Sequence, residues 1–407
     1  MRHGRSRARR ANGAAPAALP AARPALPLAA GALALVLAGC ATVSLPPVTS
    51  PQFRLEDEEK AMWKQAAAEQ ARLDDGGDVL EDPALEAYLA AVARKVEPPA
   101  AWKAVPFRIR VLRNFRPNAF ALPNGAVYLH TGILARMDSE AELATLLGHE
   151  MTHATHRHAA REQASATNWG AALAGVNAAT LGLATPLGAL AAGAAVSGHG
   201  RDLEREADRV GMELVAASGY DVSDAPKLFQ HLLEWVKAEK DDDETSFFFA
   251  SHPRLEERIE SYQDLLAGPY RGRAGGVRNV EVFRQKTLRA VIANGRLDLA
   301  AGRLDAARRD AERVLAVDPR HAPAHAVLGE AARHRDDPGG LAEAVGHYRR
   351  ALALDPKLAP AWRGLGLALF KKGDRKGARP AFARYLELEP AAADRGHVKD
   401  YLARCGE

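Results

Sequence analysis

Residues 149–153 read His-Glu-Met-Thr-His. Histidines four apart share one face of a helix, so His149 and His153 can aim both imidazoles at one point. That point can hold a zinc ion, which takes a few nitrogen or oxygen donors and keeps one position open in a hydrolytic site. Glu150 directly follows His149 and can reach a water on such an ion. A carboxylate there removes a proton and leaves a nucleophile. Three fixed letters in five also recur by chance, and the bland alternative is a polar helix whose histidines are satisfied by neighbours. The chemistry therefore depends on what positions these residues and on a third donor.

The segment around the motif is patterned as a core helix. Leu143, Leu146, Leu147 and Met151 form an apolar stripe beside the histidines, and Ser139 with Glu142 fits a capping box at its start. Upstream, residues 53–73 are acidic at the front and helical in period. Residues 83–96 begin with Pro83 after Asp82, a helix start, and Leu85, Tyr88, Leu89, Val92 and Val96 give a buried face. Residues 107–111 alternate as a half-buried strand. Pro123-Asn124-Gly125 is a turn before a short strand at 126–130, which is either the strand that pairs with an extended substrate or an ordinary structural one.

The third donor must come from farther along. His156 and His158 are off the ligand spacing and read as structural or surface residues. Residues 201–220 carry a helical stripe of Leu203, Ala207, Val210, Leu214 and Val215, with Glu204 and Asp208 one turn apart on one face. A carboxylate there can be the third zinc ligand, and a second one turn on can hydrogen-bond a ligand histidine and fix its tautomer. Taken alone, RDLEREADR is also an ordinary solvated face. Residues 166–200 carry no charged side chain and are long enough to span a bilayer. They are mostly Ala and Gly, with Asn168, Asn177 and Pro186 inside, and read as a helical hairpin over the site or at a membrane surface. Lys240 to Glu244 followed by Phe247-Phe248-Phe249 is an acidic loop with an apolar tip, either a gate over the cleft or a loop packed on the core.

The 407 residues allow two or three domains, and 47% hydrophobic with 26% charged content is ordinary for a globular protein. The pI near 9.0 is misleading. Residues 1–39 hold six arginines and no acid, and removing them leaves 49 basic against 51 acidic residues. That balance excludes a basic nucleic-acid-binding protein. The first forty residues combine an arginine-rich start with an apolar run from Ala25 to Ala38, the pattern of a cleavable signal. The ending Leu37-Ala38-Gly39-Cys40 resembles a bacterial lipobox, so Cys40 is expected to be lipidated, and Ala41 resembles outer-membrane sorting. Residues 40–52 read as a flexible tether. Cys405 then has no partner in the chain and is a free thiol or makes an intermolecular link.

Four motifs in order, NAFALPNG at 118–125, HEMTHATHRH at 149–158, RDLEREAD at 201–208 and SHPRLEER at 251–258, resemble the zinc metallopeptidase family of the β-barrel assembly-enhancing protease and HtpX. The resemblance covers roughly residues 53–265. It implies one Zn2+ per chain held by His149, His153 and Glu204, with Glu150 as general base and Asp208 behind the ligands. It also implies that His252 can swing in as a fourth zinc ligand, displace the water and hold the enzyme latent. Arg258, one to two turns on, would stabilise the oxyanion. The structural alternative for Ser251-His252-Pro253 is a cap on the next helix. Integral-membrane members of the family carry strong transmembrane helices and this chain does not, which points to a periplasmic, lipid-tethered form.

Beyond a glycine- and arginine-rich linker at 268–280 the chain repeats. Asp318-Pro319, Asp355-Pro356 and Glu389-Pro390 close successive units, 37 and 34 residues apart, and 34 is the tetratricopeptide period. Ala322-Pro323-Ala324 and Ala359-Pro360-Ala361 start equivalent helices. The units resemble two full repeats with a partial one in front, roughly 281–319, and a capping helix from about 391. Such repeats stack into a superhelix with a concave face for a peptide or partner.

The expected fold is α+β: a mainly helical, gluzincin-like metallopeptidase domain at 53–267, followed by an all-α tetratricopeptide-repeat solenoid at 281–407. The expected function is a zinc endopeptidase on the periplasmic face of the outer membrane that cleaves unfolded or misassembled envelope proteins. The repeats would engage substrate or the outer-membrane assembly machinery. The alternative is a chaperone or adaptor lipoprotein whose peptidase domain is largely silent.

Overall fold

The structure, a computed structural model, describes residues 45–165, 185–239, 255–273, 275–335 and 339–406, with the backbone alone at 185–199 and 239. The leader, Cys40, residues 166–184, the loop with Phe247 to Phe249, and His252 lie outside the described residues. The chain divides into two compact units, Met1–Thr42 with Ser165–Ala195 and Val43–Ala164 with Val196–Glu407. Of the first, only Ser165 and a stretch of helix backbone are described, and the account below concerns the second.

Helices α1 (Asp57–Asp75), α2 (Pro83–Val96) and α3 (Pro99–Ala104) lead into strand β1 (Arg108–Leu112). Asp82 caps α2 by accepting from Leu85 N at 3.1 Å, and Leu85, Leu89, Val92 and Val96 are buried on one face. Strands β2 (Ala119–Ala121) and β3 (Ala126–His130) complete a sheet of order β1-β3-β2. The middle strand β3 runs parallel to β1 and antiparallel to β2. Of the two roles open to residues 126–130, this order leaves the structural one, because both edges of β3 are taken. The far side of β1 is bonded to the segment at 78–80 through Leu80 N to Val111 O and Arg113 N to Asp78 O. Among the described residues, β2 is the edge that remains.

Helix α4 (Thr131–Leu134) precedes the motif helix α5 (Glu140–Thr155), which is followed by α6 (Thr185–Ala217), a 3-10 turn at Val222–Asp224, α7 (Ala225–Glu239) and α8 (Leu255–Ala267). No described helix is long and apolar enough to cross a membrane. The repeats form helix pairs α9 (Val280–Ala300) with α10 (Leu304–Val317), α11 (Ala322–Arg333) with α12 (Gly340–Leu354) and α13 (Ala359–Lys371) with α14 (Arg375–Leu388), closed by α15 (Arg395–Arg404).

Three expectations change. The leading repeat is a full helix pair rather than a partial unit, and α9 is its longest helix because one face serves the peptidase: Phe283 and Ala290 share the apolar core with Leu143, Leu146 and Leu147. The glycine-rich linker is bonded along its end. Val277 N donates to Gly219 O and Val277 O accepts from Asp221 N, and Glu140 N donates to Arg278 O at 2.9 Å. The described part of the expected tether is docked as well: Val48 is buried and its N–H donates to Thr155 O at 2.8 Å.

Candidate metal centre

Helix α5 is buried along nearly its whole length, and its ends are tied from several elements. At the start, Ser139 Oγ accepts from Glu142 N at 3.2 Å and donates to Asp224 Oδ2 at 2.6 Å. Glu142 turns its carboxylate to Asp138 N rather than back to Ser139, so only half of the capping box forms. The Glu140 carboxylate accepts from Tyr88 and Tyr220 hydroxyls, both at 2.8 Å, and from Asn279 Nδ2 at 2.7 Å. At the far end the backbone turns left-handed at Arg157, φ 59°, and the buried Arg157 guanidinium is held by Glu59.

Helix α6 crosses α5 beside His149. A Cβ on Gly148 would stand 3.2 Å from Gly211 O, and one on Gly211 would stand 3.0 Å from His149 N. This close approach brings the carboxylates of α6 onto the histidines of α5. His149 Nε2 and His153 Nε2 are 3.0 Å apart. Glu204 Oε2 is 3.6 Å from His149 Nε2, and its Oε1 is 3.4 Å from His153 Nε2. One donor atom from each of the three residues lies within 4.8 Å of the other two. Two imidazole nitrogens and a carboxylate converging in this way fit a metal ion of the zinc type. Glu150, next in sequence to His149, is 1% exposed.

Behind the three donors lies a buried charged layer. Asp208 Oδ1 is 3.1 Å from His149 Nδ1, the nitrogen turned away from Glu204. Burial pushes the Asp208 carboxyl up, but Arg258 and His149 more than reverse this and hold it below the usual range. Arg258, 3% exposed, lays its guanidinium across the same groups. Its Nε donates to Asp208 Oδ2 at 3.1 Å and its Nη1 to Glu204 Oε2 at 3.3 Å, while Nη2 bonds Asp208 Oδ1 and lies 2.8 Å from His149 Nδ1. Phe229 of α7 supports it from below, with the guanidinium carbon 4.2 Å from the ring centre. The role of oxyanion donor written for Arg258 from the sequence does not fit this geometry, because its three nitrogens are turned to ligand and carboxylate atoms.

His158 was missed. It is 3% exposed, and its Nδ1 is 3.0 Å from His153 Nδ1. Burial, with Arg161 nearby, pushes it down to about 3, so the ring is neutral at ordinary pH. Helical spacing hides it, since residues five apart point about 140° away from each other on a continuous helix. The left-handed turn at Arg157 re-aims it. Asn118 carries no role in the sequence beyond its place in the NAFALPNG motif. It precedes β2 and is 2% exposed, and both polar atoms of its carboxamide are without a protein partner. Its backbone carbonyl accepts from His130 N.

A second group with metal-ligand chemistry, Asp138, Glu142 and His231, lies at the seam with the first repeat. His231 Nδ1 donates to Glu142 at 3.1 Å, and Arg284 and Arg313 of the first repeat already neutralise Asp138.

Residues 80–265 match the profile described as Peptidase family M48, and residues 338–373 match one described as TPR repeat. A relative from Vibrio cholerae is 34% identical over 194 residues, 44% of this chain and 39% of its own length. The "Beta-barrel assembly-enhancing protease" of Escherichia coli K12 is 28% identical over the same shares of each chain. The "Mitochondrial metalloendopeptidase OMA1" of Schizosaccharomyces pombe is 28% identical over 180 residues, 44% of this chain and 52% of that protein. The chain thus covers about two fifths of the length of the bacterial relatives.

Proposed function

We propose, from the premise that residues 80–265 belong to peptidase family M48, that this chain is a zinc-dependent metalloendopeptidase. The observation that carries the reading is the convergence of His149, His153 and Glu204 within 4.8 Å, with Asp208 on the far nitrogen of His149. Zinc held there would polarise the scissile carbonyl and acidify a water. Glu150, beside His149 in sequence, would act as the general base that takes a proton from the attacking water and then as the acid that returns it to the leaving amine. Asp208 Oδ1, 3.1 Å from His149 Nδ1, would take the proton of that nitrogen once Nε2 is given to the ion, with the Arg258 guanidinium then turned to the carboxylates. Arg258 neutralises the buried Asp208 and braces Glu204, so it positions ligands rather than touching substrate.

An extended substrate would pair with β2, which packs against α5. Asn118 O and Leu122 N bond inward to β3, so the N–H and C=O of Ala121 point outward.

The finer reading places the enzyme in the bacterial envelope, tethered through a lipid on Cys40, with misfolded envelope proteins as substrate. It gives the repeats the task of recruiting them. Support comes from the lipobox-like LAGC, from the fusion of peptidase and repeats, and from the β-barrel assembly-enhancing relatives. A latch by His252 belongs to the same reading and rests on the Ser-His-Pro motif.

Casein cleavage by the zinc-loaded chain from residue 41 tests it. Wild type is expected to cut, Glu150→Gln to lose about 100-fold or more while keeping its zinc, and His252→Ala to cut faster than wild type. Zinc-loaded protein that cuts in none of the three forms would favour the adaptor reading.

A further inference from the structure

The two histidines of the centre are backed differently. His149 has a carboxylate on Nδ1, at 3.1 Å. His153 has another imidazole there: His158 Nδ1, at 3.0 Å, with the rings edge to face at 89°. The nitrogens of His153 divide the work between two sides of its ring, Nε2 toward His149 and Glu204 and Nδ1 toward His158. His158 therefore cannot share an ion with His153 Nε2.

Two nitrogens at hydrogen-bond distance need one proton between them. If His153 offers its Nε2 lone pair to a metal, the proton of that ring sits on Nδ1. His158 must then accept on Nδ1 and carry its own proton on Nε2. Among the described residues that Nε2 is buried without a hydrogen-bond partner; Glu206 Oε2 lies 3.8 Å away, beyond a hydrogen bond, and is itself held by Arg161 Nη1 at 2.8 Å. The order of groups from the metal position outward is His153, His158, Glu206 and Arg161.

We propose that His158 is a positioning residue of the metal centre. By accepting the Nδ1 proton of His153, it fixes the tautomer and ring orientation that turn Nε2 to the ion, and so sets how tightly zinc is held. The backbone serves this contact. A left-handed non-glycine residue is unfavourable, and Arg157 is kept in that conformation by its buried pair with Glu59 and its bonds to Pro46 O and Arg54 O. Without that turn, His158 would continue the helix away from His153.

The test is zinc affinity by chelator competition on the full chain, as wild type, His158→Phe and His158→Gln. Phenylalanine fills the space and cannot accept a proton, whereas the glutamine carbonyl can. His158→Phe is expected to bind zinc about 10–100-fold more weakly, with most of the loss recovered in His158→Gln. Equal affinity for His158→Phe and wild type overturns the proposal. So does a His158→Gln variant as weak as His158→Phe, which would mean that ring packing alone matters. Imidazole 15N spectra of zinc-loaded wild type need no variant: they are expected to show His153 protonated on Nδ1 and His158 on Nε2, and a proton on His158 Nδ1 overturns the proposal. The inference rests on His149, His153 and Glu204 being the zinc ligands. That reading fails separately if His153→Ala binds zinc as tightly as wild type, and a wild-type chain that takes up no zinc overturns both.

Discussion

Gly148 and Gly211 stand face to face where α5 and α6 cross, and the backbone of one helix rests on the backbone of the other. A Cβ on Gly211 would lie 3.0 Å from His149 N and 3.1 Å from Gly148 C. Neither atom belongs to a flexible side chain, so an added methyl must push the helices apart. The carboxylates of Glu204 and Asp208 ride on the helix that would move.

Gly211→Ala is therefore expected to destabilise the protein by about 1–3 kcal/mol and to weaken zinc binding together with it. Gly346→Ala is the control. It lies within α12 with nothing within 4 Å of the new methyl, and should stabilise by roughly 0.5–1 kcal/mol. Thermal melts and zinc titrations of both variants check the pair of outcomes.

Arg258→Met leaves Asp208 buried without its cation and should cost about 3–5 kcal/mol. Adding Asp208→Asn removes the stranded charge and should recover stability but not zinc affinity. Arg258→Lys is expected to resemble Met more than wild type, because one ammonium cannot span Asp208 and Glu204 as the planar fork does. A variant that keeps both stability and zinc and loses only kcat would restore the oxyanion role.

Glu97 caps the end of α2 at 3% exposure with Oε1 unpartnered, and burial lifts it from 4.5 to about 7. The folded state therefore binds this proton more readily than the unfolded one. Its contribution favours folding at low pH and is lost as pH rises from about 4.5 through about 7. Glu97→Gln should match wild type near pH 4 and exceed it at pH 8 by up to roughly 3 kcal/mol. Denaturant midpoints across that range measure the difference, and parallel curves for the two proteins would exclude the effect.

Arg136 follows α4 of the peptidase and reaches the first repeat, where its Nη1 donates to Asp310 Oδ1 at 2.9 Å and its Nη2 lies 3.7 Å from Asp298 Oδ2. Both aspartates are buried. Arg136→Ala should cost about 3–5 kcal/mol. Because Phe283 and Ala290 sit in the peptidase core, the loss should lower one shared transition in calorimetry. A separate repeat transition, with the peptidase transition unchanged, would count against a shared core.

The legible parts were those governed by local period. The stripe of Leu143, Leu147 and Met151 announced α5, Asp82-Pro83 the start of α2, and the Asp-Pro spacing the repeats. Glu204 and Asp208 could be paired from one turn of helix, and the structure does bring them onto His149 and His153. The order β1-β3-β2 was not legible, because alternation marks a strand without naming its neighbours. The docking of residues 45–52 and 276–279 was hidden by composition, since Pro- and Gly-rich segments look alike whether free or bonded.

By itself the sequence determined which residues could do the chemistry and which helices would carry them, because side-chain type and 3.6-residue spacing are local properties. Only the tertiary structure decided how those helices meet. The glycine contact at 148 and 211, the left-handed turn at Arg157 that brings His158 onto His153, and the reach of Arg258 from α8 to Asp208 are all agreements between distant segments. Each depends on packing that no single stretch encodes, and together they turn two histidines and a carboxylate into a centre.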